Sequence, residues 1–224
     1  MRLSEGNVRR GAGVLGAAAA LFCAGCLGML VPKHRVLVDA IAAPGVAKPS
    51  GQSYRLVAKP TMVAQSKMQV DVVKACIDAA LVGAGLFEAP AAVAPDLFIE
   101  VSFGTQTGGR IDPSARETFL QLSARDNPNR GIDNGRGQEL WDVRVAVFGV
   151  AGAVESVMPL LAAVAAQNVA SDSRFETKMD IPKNSPQERA VRETAVKTLE
   201  AMASRGPASA SPPGAAAAAT PPAK

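Results

Sequence analysis

The stretch Asp96-Leu-Phe-Ile-Glu-Val-Ser-Phe103 carries the clearest strand pattern in the chain. Apolar residues stand at positions 97, 99, 101 and 103, so a strand over these residues has one face suited to burial. This pattern predicts a sheet strand near the middle of the chain. The elements on either side of it determine the fold class.

Four other segments show strand patterns. They are Tyr54 to Ala58, ended by Pro60, then Glu117 to Arg125, Leu140 to Val150 and Lys178 to Ile181. Three segments show helical spacing of apolar residues: Ser66 to Gly83, Pro159 to Val169 and Ser185 to Met202. The order predicts an α+β fold of two layers. We expect an antiparallel or mixed sheet of about four to five strands, with helices packed on one face.

The composition fits a single domain with an aliphatic core. Of the 224 residues, 48% are hydrophobic but only 4% are aromatic, so Val, Leu, Ile, Ala and Met must fill most of the interior. Trp141 stands at the start of a predicted strand, where we expect it in the core rather than at a ligand surface.

Residues 1–25 have the layout of a secretory signal peptide. Arginines at positions 2, 9 and 10 precede an apolar run over residues 11–22, which is too short for a stable membrane span. The glycines at 11, 13 and 16 match a dinucleotide-binding pattern, but no strand precedes them, so we assign them no such role.

The sequence Ala24-Gly25-Cys26 follows that run and resembles the lipobox of bacterial lipoproteins. The resemblance implies that Cys26 becomes the first residue and carries the lipid. Cys23 departs from the lipobox, in which Leu is expected, and an ordinary signal peptide without lipidation is the alternative. Leu27 after the anchor is similar to the signature of outer-membrane sorting, which implies a protein facing the periplasm.

Composition divides the rest of the chain into three parts. Residues 26–52 contain three prolines and the single histidine, His34, and are interpreted as a lipidated tether. Residues 53–203 hold the helix and strand patterns and are interpreted as the α+β domain. Residues 204–224 are rich in Ala and Pro, and we expect a disordered tail.

The body from about Ser53 to Met202 resembles bacterial lipoproteins that carry a domain of unknown function of the 4136 type. The resemblance rests on the lipobox, on Ala79-Ala-Leu-Val-Gly-Ala-Gly-Leu-Phe87, on Pro95 to Gly104 and on Leu140-Trp-Asp-Val-Arg-Val145. It implies an architecture and an envelope location but no catalytic residues. The lipoprotein component of lipopolysaccharide assembly is the alternative family.

The residue types exclude several kinds of chemistry. One histidine, placed in the expected tether, cannot support a histidine-dependent triad. Cys76 is the one cysteine outside the N-terminal segment, and its apolar surroundings predict a buried thiol. We therefore expect no metal site and no cofactor. Removing residues 1–25 takes away three arginines and one glutamate and leaves a net charge of about +2, which argues against nucleic acid as a partner.

Carboxylates leave one enzymatic alternative, a hydrolase or sugar-active enzyme of the envelope. The candidates are Asp96, Glu100, Asp126, Asp142 and Asp180. No spacing distinguishes any of them. The preferred interpretation is a noncatalytic binding or scaffolding module.

Two polar loops are the candidate contact regions for an envelope protein partner. The segment from Asp126 to Glu139 is rich in Asn, Asp and Gly, which suits a hairpin loop, and it lacks the ligand spacing of a calcium loop. Arg110 lies in the other loop, Thr105 to Arg116, and Arg130 and Arg136 lie in the loop from Asp126 to Glu139. These three arginines are able to pair with acidic or phosphate groups, and the alternative is that they are simply solvated.

The anchor prediction concerns Cys26. The variant Cys26→Ser lacks the thiol that accepts the lipid, so we expect it to lose palmitate labelling and to leave the membrane fraction, because a diacylglyceryl group supplies stable attachment. Labelling that persists unchanged in Cys26→Ser would refute the lipobox interpretation.

Overall fold

The computed structural model describes residues 32–59, 67–107, 116–132, 137–149 and 153–204. Within these ranges the chain forms seven strands and three helices. The strands are β1 (Lys33–Ala42), β2 (Ser53–Ala58), β3 (Phe87–Glu88), β4 (Leu97–Thr107), β5 (Arg116–Asp126), β6 (Glu139–Phe148) and β7 (Thr177–Pro182). The helices are α1 (Lys67–Gly83), α2 (Val154–Gln167) and α3 (Pro186–Ser204).

All seven strands belong to one mixed sheet in the order β3-β2-β4-β5-β6-β1-β7. β2 runs parallel to β3 and β4, whereas the pairs from β4 to β7 are antiparallel. The α+β class is as expected, but the predicted count of four to five strands is wrong. The sequence patterns missed β1 and β3.

β1 lies between β6 and β7 in the sheet, inside the segment 26–52 that we interpreted as a tether. That interpretation is wrong for residues 33–42. Prolines at 32 and 44 suggested a linker, but they flank a strand whose Val36, Val38 and Ala40 are buried. His34 therefore lies on a paired strand, opposite Ile181, and not in a solvated linker.

β3 escaped prediction because it is only two residues long. It pairs with β2 at Ser53 and Tyr54, after α1 has ended in a turn. A pair of residues has no periodicity, so no sequence pattern is able to indicate it.

The helices agree with the predicted segments except at their ends. α2 begins at Val154, five residues before Pro159, where the predicted segment starts. α3 follows Ser185, whose Oγ accepts a hydrogen bond from the Glu188 backbone N–H at 3.3 Å, while the Glu188 carboxylate accepts one from the Asn184 N–H at 2.9 Å. Such reciprocal bonds satisfy N–H groups at a helix start.

The core lies between one sheet face and the three helices. α1 packs against α2 and α3, and α2 contacts β5 and β6. Inward strand residues alternate with outward ones, as in Ile99, Val101, Leu120, Leu122, Val143 and Val145, which are all buried in one cluster with the helices. Trp141 is 2% exposed, so its predicted core position is confirmed.

A polar network joins α1 to the β2 edge of the sheet. The buried Tyr54 hydroxyl donates to Asp78 Oδ1 at 2.8 Å, and Lys74 Nζ donates to Asp78 Oδ2 at 2.6 Å and to Glu88 Oε1 at 2.7 Å. Burial raises the pKa of Tyr54, and the neighbouring Asp78 raises it further. Tyr54 therefore keeps its proton and fixes the helix against the sheet.

The orientation of β4 provides a stability test. Ile99 is fully buried, so Ile99→Asp places an unpaired charge in the core and is expected to destabilise the domain by several kcal/mol. Glu100 points to the other face and lies 3.6 Å from Arg125 in a partly exposed ion pair, so Glu100→Gln should change stability little. Thermal unfolding of both variants measures the difference, and equal melting temperatures would contradict this assignment of faces.

Candidate functional site

The three helices cover one face of the sheet and leave the other face open. Outward positions on β4, β5, β6 and β1 carry mostly polar side chains, because every second residue of a strand points away from the core. On this open face a cleft of about 380 Å³ crosses four strands. Its lining consists of Leu37, Asp39, Gln106, Glu117, Gln121, Asp142, Arg144, Ala146 and Glu176.

One end of the cleft is organised around Glu117. Its side chain is 5% exposed, and Arg144 donates to Glu117 Oε1 at 2.6 Å while Gln106 donates to Oε2 at 3.3 Å. The Arg144 guanidinium also lies 4.3 Å from the centroid of the Phe119 ring. The ion pair and the cation–π contact together hold Arg144 in one orientation.

The middle of the cleft contains Asp142. The Gln121 side-chain amide donates to its two carboxylate oxygens at 3.1 and 2.9 Å. Burial raises the pKa of Asp142 above its ordinary value, the Gln121 hydrogen bonds lower it, and the nearby carboxylates of Glu139 and Asp39 raise it. The cleft therefore has carboxyl groups at several positions, and those of Glu117 and Asp142 are engaged by neighbouring side chains.

The sequence named Asp142 as a carboxylate candidate but missed Glu117, Gln121 and Arg144. An available signal was the run of polar residues at alternate positions of β5 and β6. That signal is ambiguous, since outward polar residues on strands are usually only solvated. The strand register brings these residues together in the cleft, because Gln121 and Arg144 are direct cross-strand partners.

Two other carboxylate candidates take part in fixed contacts away from the cleft. Asp96 Oδ2 accepts hydrogen bonds from the Ser53 N–H at 2.9 Å and from its hydroxyl at 2.8 Å. The hydrogen bonds from Ser53 lower the pKa of the Asp96 carboxyl group, and the nearby Arg130 guanidinium lowers it further. Asp180 lies 3.7 Å from Arg35 on the surface.

The remaining two candidates lie on β4 and at the end of β5. Glu100 pairs with Arg125, as described above. Asp126 packs against Gly137, where a side chain would collide with it, and its Oδ1 is buried without a hydrogen-bond partner among the described residues. The structure therefore does not gather the five candidates at one site.

The three candidate arginines belong to two chain connections, one before β5 and one after it. Arg110 belongs to the segment between β4 and β5, whereas Arg130 and Arg136 follow β5, and β5 runs between these connections for eleven residues. At 3.4 Å per residue the two ends are about 34 Å apart. The two connections therefore start at opposite ends of β5, and the partner-binding role predicted for the three arginines stays a prediction.

The three arginines and the anchor differ in how far the structure describes them. The Arg130 side chain is 71% exposed and donates a hydrogen bond to Asp96 Oδ1 at 2.7 Å. Its backbone φ of 50° is one that residues other than glycine rarely adopt. It thus engages this chain's own Asp96. Arg110, Arg136 and Cys26 lie outside the described residues, as do the signal segment and the tail.

No group of three or more His, Cys, Asp or Glu residues able to hold a metal ion occurs in the described ranges. Cys76 is buried as expected, and burial raises the pKa of its thiol to about 11.

None of the three helices combines the length and the apolar character that a membrane span requires, as far as the structure describes the chain.

No protein-family model and no curated protein matches this chain. Among solved structures, the PelC dodecamer from Paraburkholderia phytofirmans is 13% identical, with a TM-score of 0.37 over 62% of this chain and 99% of that one. A PDZ domain protein from Parabacteroides distasonis is 11% identical, with a TM-score of 0.47 over 72% of this chain and 42% of that one.

A putative lipoprotein from Caulobacter crescentus is 16% identical, with a TM-score of 0.21 over 69% of this chain and 93% of that one. All three TM-scores are below 0.5, so these similarities carry no argument about function. The resemblance to the domain of the 4136 type gains no support from a family model.

The raised pKa of Asp142 predicts a pH dependence. A carboxyl group whose pKa is higher in the folded state stabilises that state when protonated, and this contribution is lost as the pH rises through the folded pKa. The variant Asp142→Asn does not titrate there. We therefore expect the difference in melting temperature, variant minus parent, to be more positive at pH 7 than at about pH 3.

Thermal unfolding at both pH values measures this effect, and the exposed Asp71→Asn is the matched control. The interpretation of Asp142 fails if the relative melting temperature of Asp142→Asn is the same at both pH values, or if Asp71→Asn shows an equal dependence.

Proposed function

We propose that this chain is a lipid-anchored protein of the cell envelope that binds a protein partner through the open face of its sheet, without catalysis. Cys26 carries the lipid in this proposal, and the domain faces the periplasm from the outer membrane. The observation that supports the binding role is the polar cleft on a sheet face that none of the three described helices covers.

The arrangement of polar groups in the cleft favours binding over catalysis. Glu117 is engaged by Arg144 and Gln106, and both carboxylate oxygens of Asp142 accept hydrogen bonds from Gln121. Side chains fixed by neighbours present a preorganised surface at low entropic cost. A general acid or base, in contrast, must exchange its proton with a substrate within hydrogen-bond reach.

The helical side offers a larger groove of about 620 Å³, but its chemistry is different. Small side chains of all three helices line it, including Ala79, Ala163 and Ala190. Few of its groups are able to make directional contacts. The open face is therefore the better candidate for specific recognition.

The carboxylate-dependent enzyme is the second candidate, and one observation favours it. Asp142 combines a raised pKa with a position in a cleft that also contains Glu117 and Glu176, as a general acid requires. The two candidates differ in the effect of Asp142→Asn. An enzyme has an activity on envelope glycans that is lost in this variant, whereas a binding module has no such activity in either the parent or the variant.

Site-specific photo-crosslinking in intact envelopes tests the proposal. A photoreactive residue at Gln106 or at Glu176, both exposed at the cleft, is expected to give a discrete crosslinked species. The same residue at the exposed Glu200 on α3 serves as the control and should give none. Adding Glu176→Lys to the Gln106 variant is expected to reduce the crosslink at least severalfold.

Two results would contradict the proposal. One is the absence of any crosslink from both cleft positions in envelopes that contain the protein. The other is an identical set of crosslinks from the cleft and from α3, which would indicate random collisions and no binding face.

A further inference from the structure

The topology collects basic residues at one end of the sheet. β1 begins with Lys33, whose direct partner is Pro182 at the end of β7, and the Lys183 N–H donates to the Pro32 carbonyl at 2.9 Å. Arg116 begins β5 at this same end of the sheet. Its carbonyl accepts a hydrogen bond from the Gly149 N–H, just after β6 ends, and the next residue, Glu117, pairs with Phe148 of β6. We call this end, with Lys33, Arg35, Arg116, Lys183 and Arg189, the basic end.

These five side chains are exposed, and acidic groups balance them only in part. Arg35 lies 3.7 Å from Asp180, and both side chains are more than half exposed. This ion pair therefore neutralises little of the positive charge at the basic end. Glu117 and Glu188 also lie at this end, but both are buried and engaged by Arg144 and Arg192 respectively.

Glu155 is a further carboxylate at this end, in the first turn of α2, and it is partly buried. The positive charge at this end also affects the pKa of His34. Burial lowers its pKa, the positive charge of Lys183 lowers it further, and Glu188 acts in the opposite direction. Among the residues that the structure describes, the basic end therefore keeps an excess of exposed positive charge.

The length of chain before β1 limits where this end can lie. Only residues 27–32 separate Cys26 from Lys33. The seven Cα–Cα steps from Cys26 to Lys33 span at most about 25 Å when fully extended. If Cys26 is lipidated, the start of β1 is thus held within that distance of the lipid surface, and the basic end is the part of the domain nearest to it.

We propose that the basic end docks on anionic phospholipid head groups, so that the strands point away from the membrane and the part of the cleft around Asp142 and Glu176 stays accessible. The location of this surface rests on the proposed anchor at Cys26, but its affinity for anionic lipid does not. Each Lys or Arg close to an anionic surface contributes about a fivefold gain in binding.

The test uses the chain from Leu27 onward, without lipid. The buried core cluster and the residues packed on it lie between Val36 and Leu199, so this chain retains the folding unit. Sedimentation with vesicles measures binding to mixtures of phosphatidylglycerol and phosphatidylethanolamine, and to phosphatidylethanolamine with phosphatidylcholine. We expect binding to the anionic vesicles only, and a loss of this binding as salt is raised.

A charge reversal at the basic end is compared with an equal reversal elsewhere. The test variant combines Lys33→Glu, Arg116→Glu and Lys183→Glu. The control variant combines Lys48→Glu, Arg174→Glu and Lys197→Glu, which are exposed and lie at the other end of the sheet or on α3. The two variants have the same net charge. We expect binding at least about tenfold weaker in the test variant and within about twofold of the parent in the control.

Three results would overturn the proposal: no preference of the parent for anionic vesicles, equal weakening in both variants, or unchanged binding in the test variant. Circular dichroism and thermal unfolding verify that both variants are folded. Because no lipid is attached, this experiment succeeds or fails independently of Cys26. Palmitate labelling and cleft crosslinking test the proposed function separately.

Discussion

The pairing of β1 on both of its edges is the constraint on which the rest of this structure depends. β1 joins β6 on one side and β7 on the other, so the sheet is continuous only when the two ends of the domain sequence meet. Contacts between residues so far apart in sequence impose a large loss of chain entropy. The burial of Val36, Val38 and Ala40 beneath the helices offsets part of this loss.

The same strand connects the two surfaces to which we assign functions. Its outward residues Leu37 and Asp39 line the cleft, and its first residue, Lys33, belongs to the basic end. A domain without β1 would leave β7 unpaired and the cleft without one wall. The position of β1 also brings the folded domain close to Cys26, which a tether extending to residue 52 would not do.

The division of the sheet into a covered and an open face accounts for the distribution of polar groups. On the covered side, the hydrogen bonds of Tyr54 with Asp78 satisfy buried polar atoms and fix α1. On the open side, Glu117 and Asp142 are held by partners but face solvent through the cleft. The first arrangement serves stability, whereas the second leaves polar atoms able to meet a ligand.

The sequence by itself determined the α+β class, the three helices, five of the strands and the buried position of Trp141. These features depend on local periodicity, that is, on the spacing of apolar residues that are close together in the sequence. The strand at 33–42 lies between two prolines that favour a linker, and β3 is too short to have a pattern. Strand register and topology belong to the tertiary structure alone. They brought Gln121 to Asp142 and Glu117 to Arg144, because cross-strand neighbours are set by pairing between distant segments and not by sequence spacing.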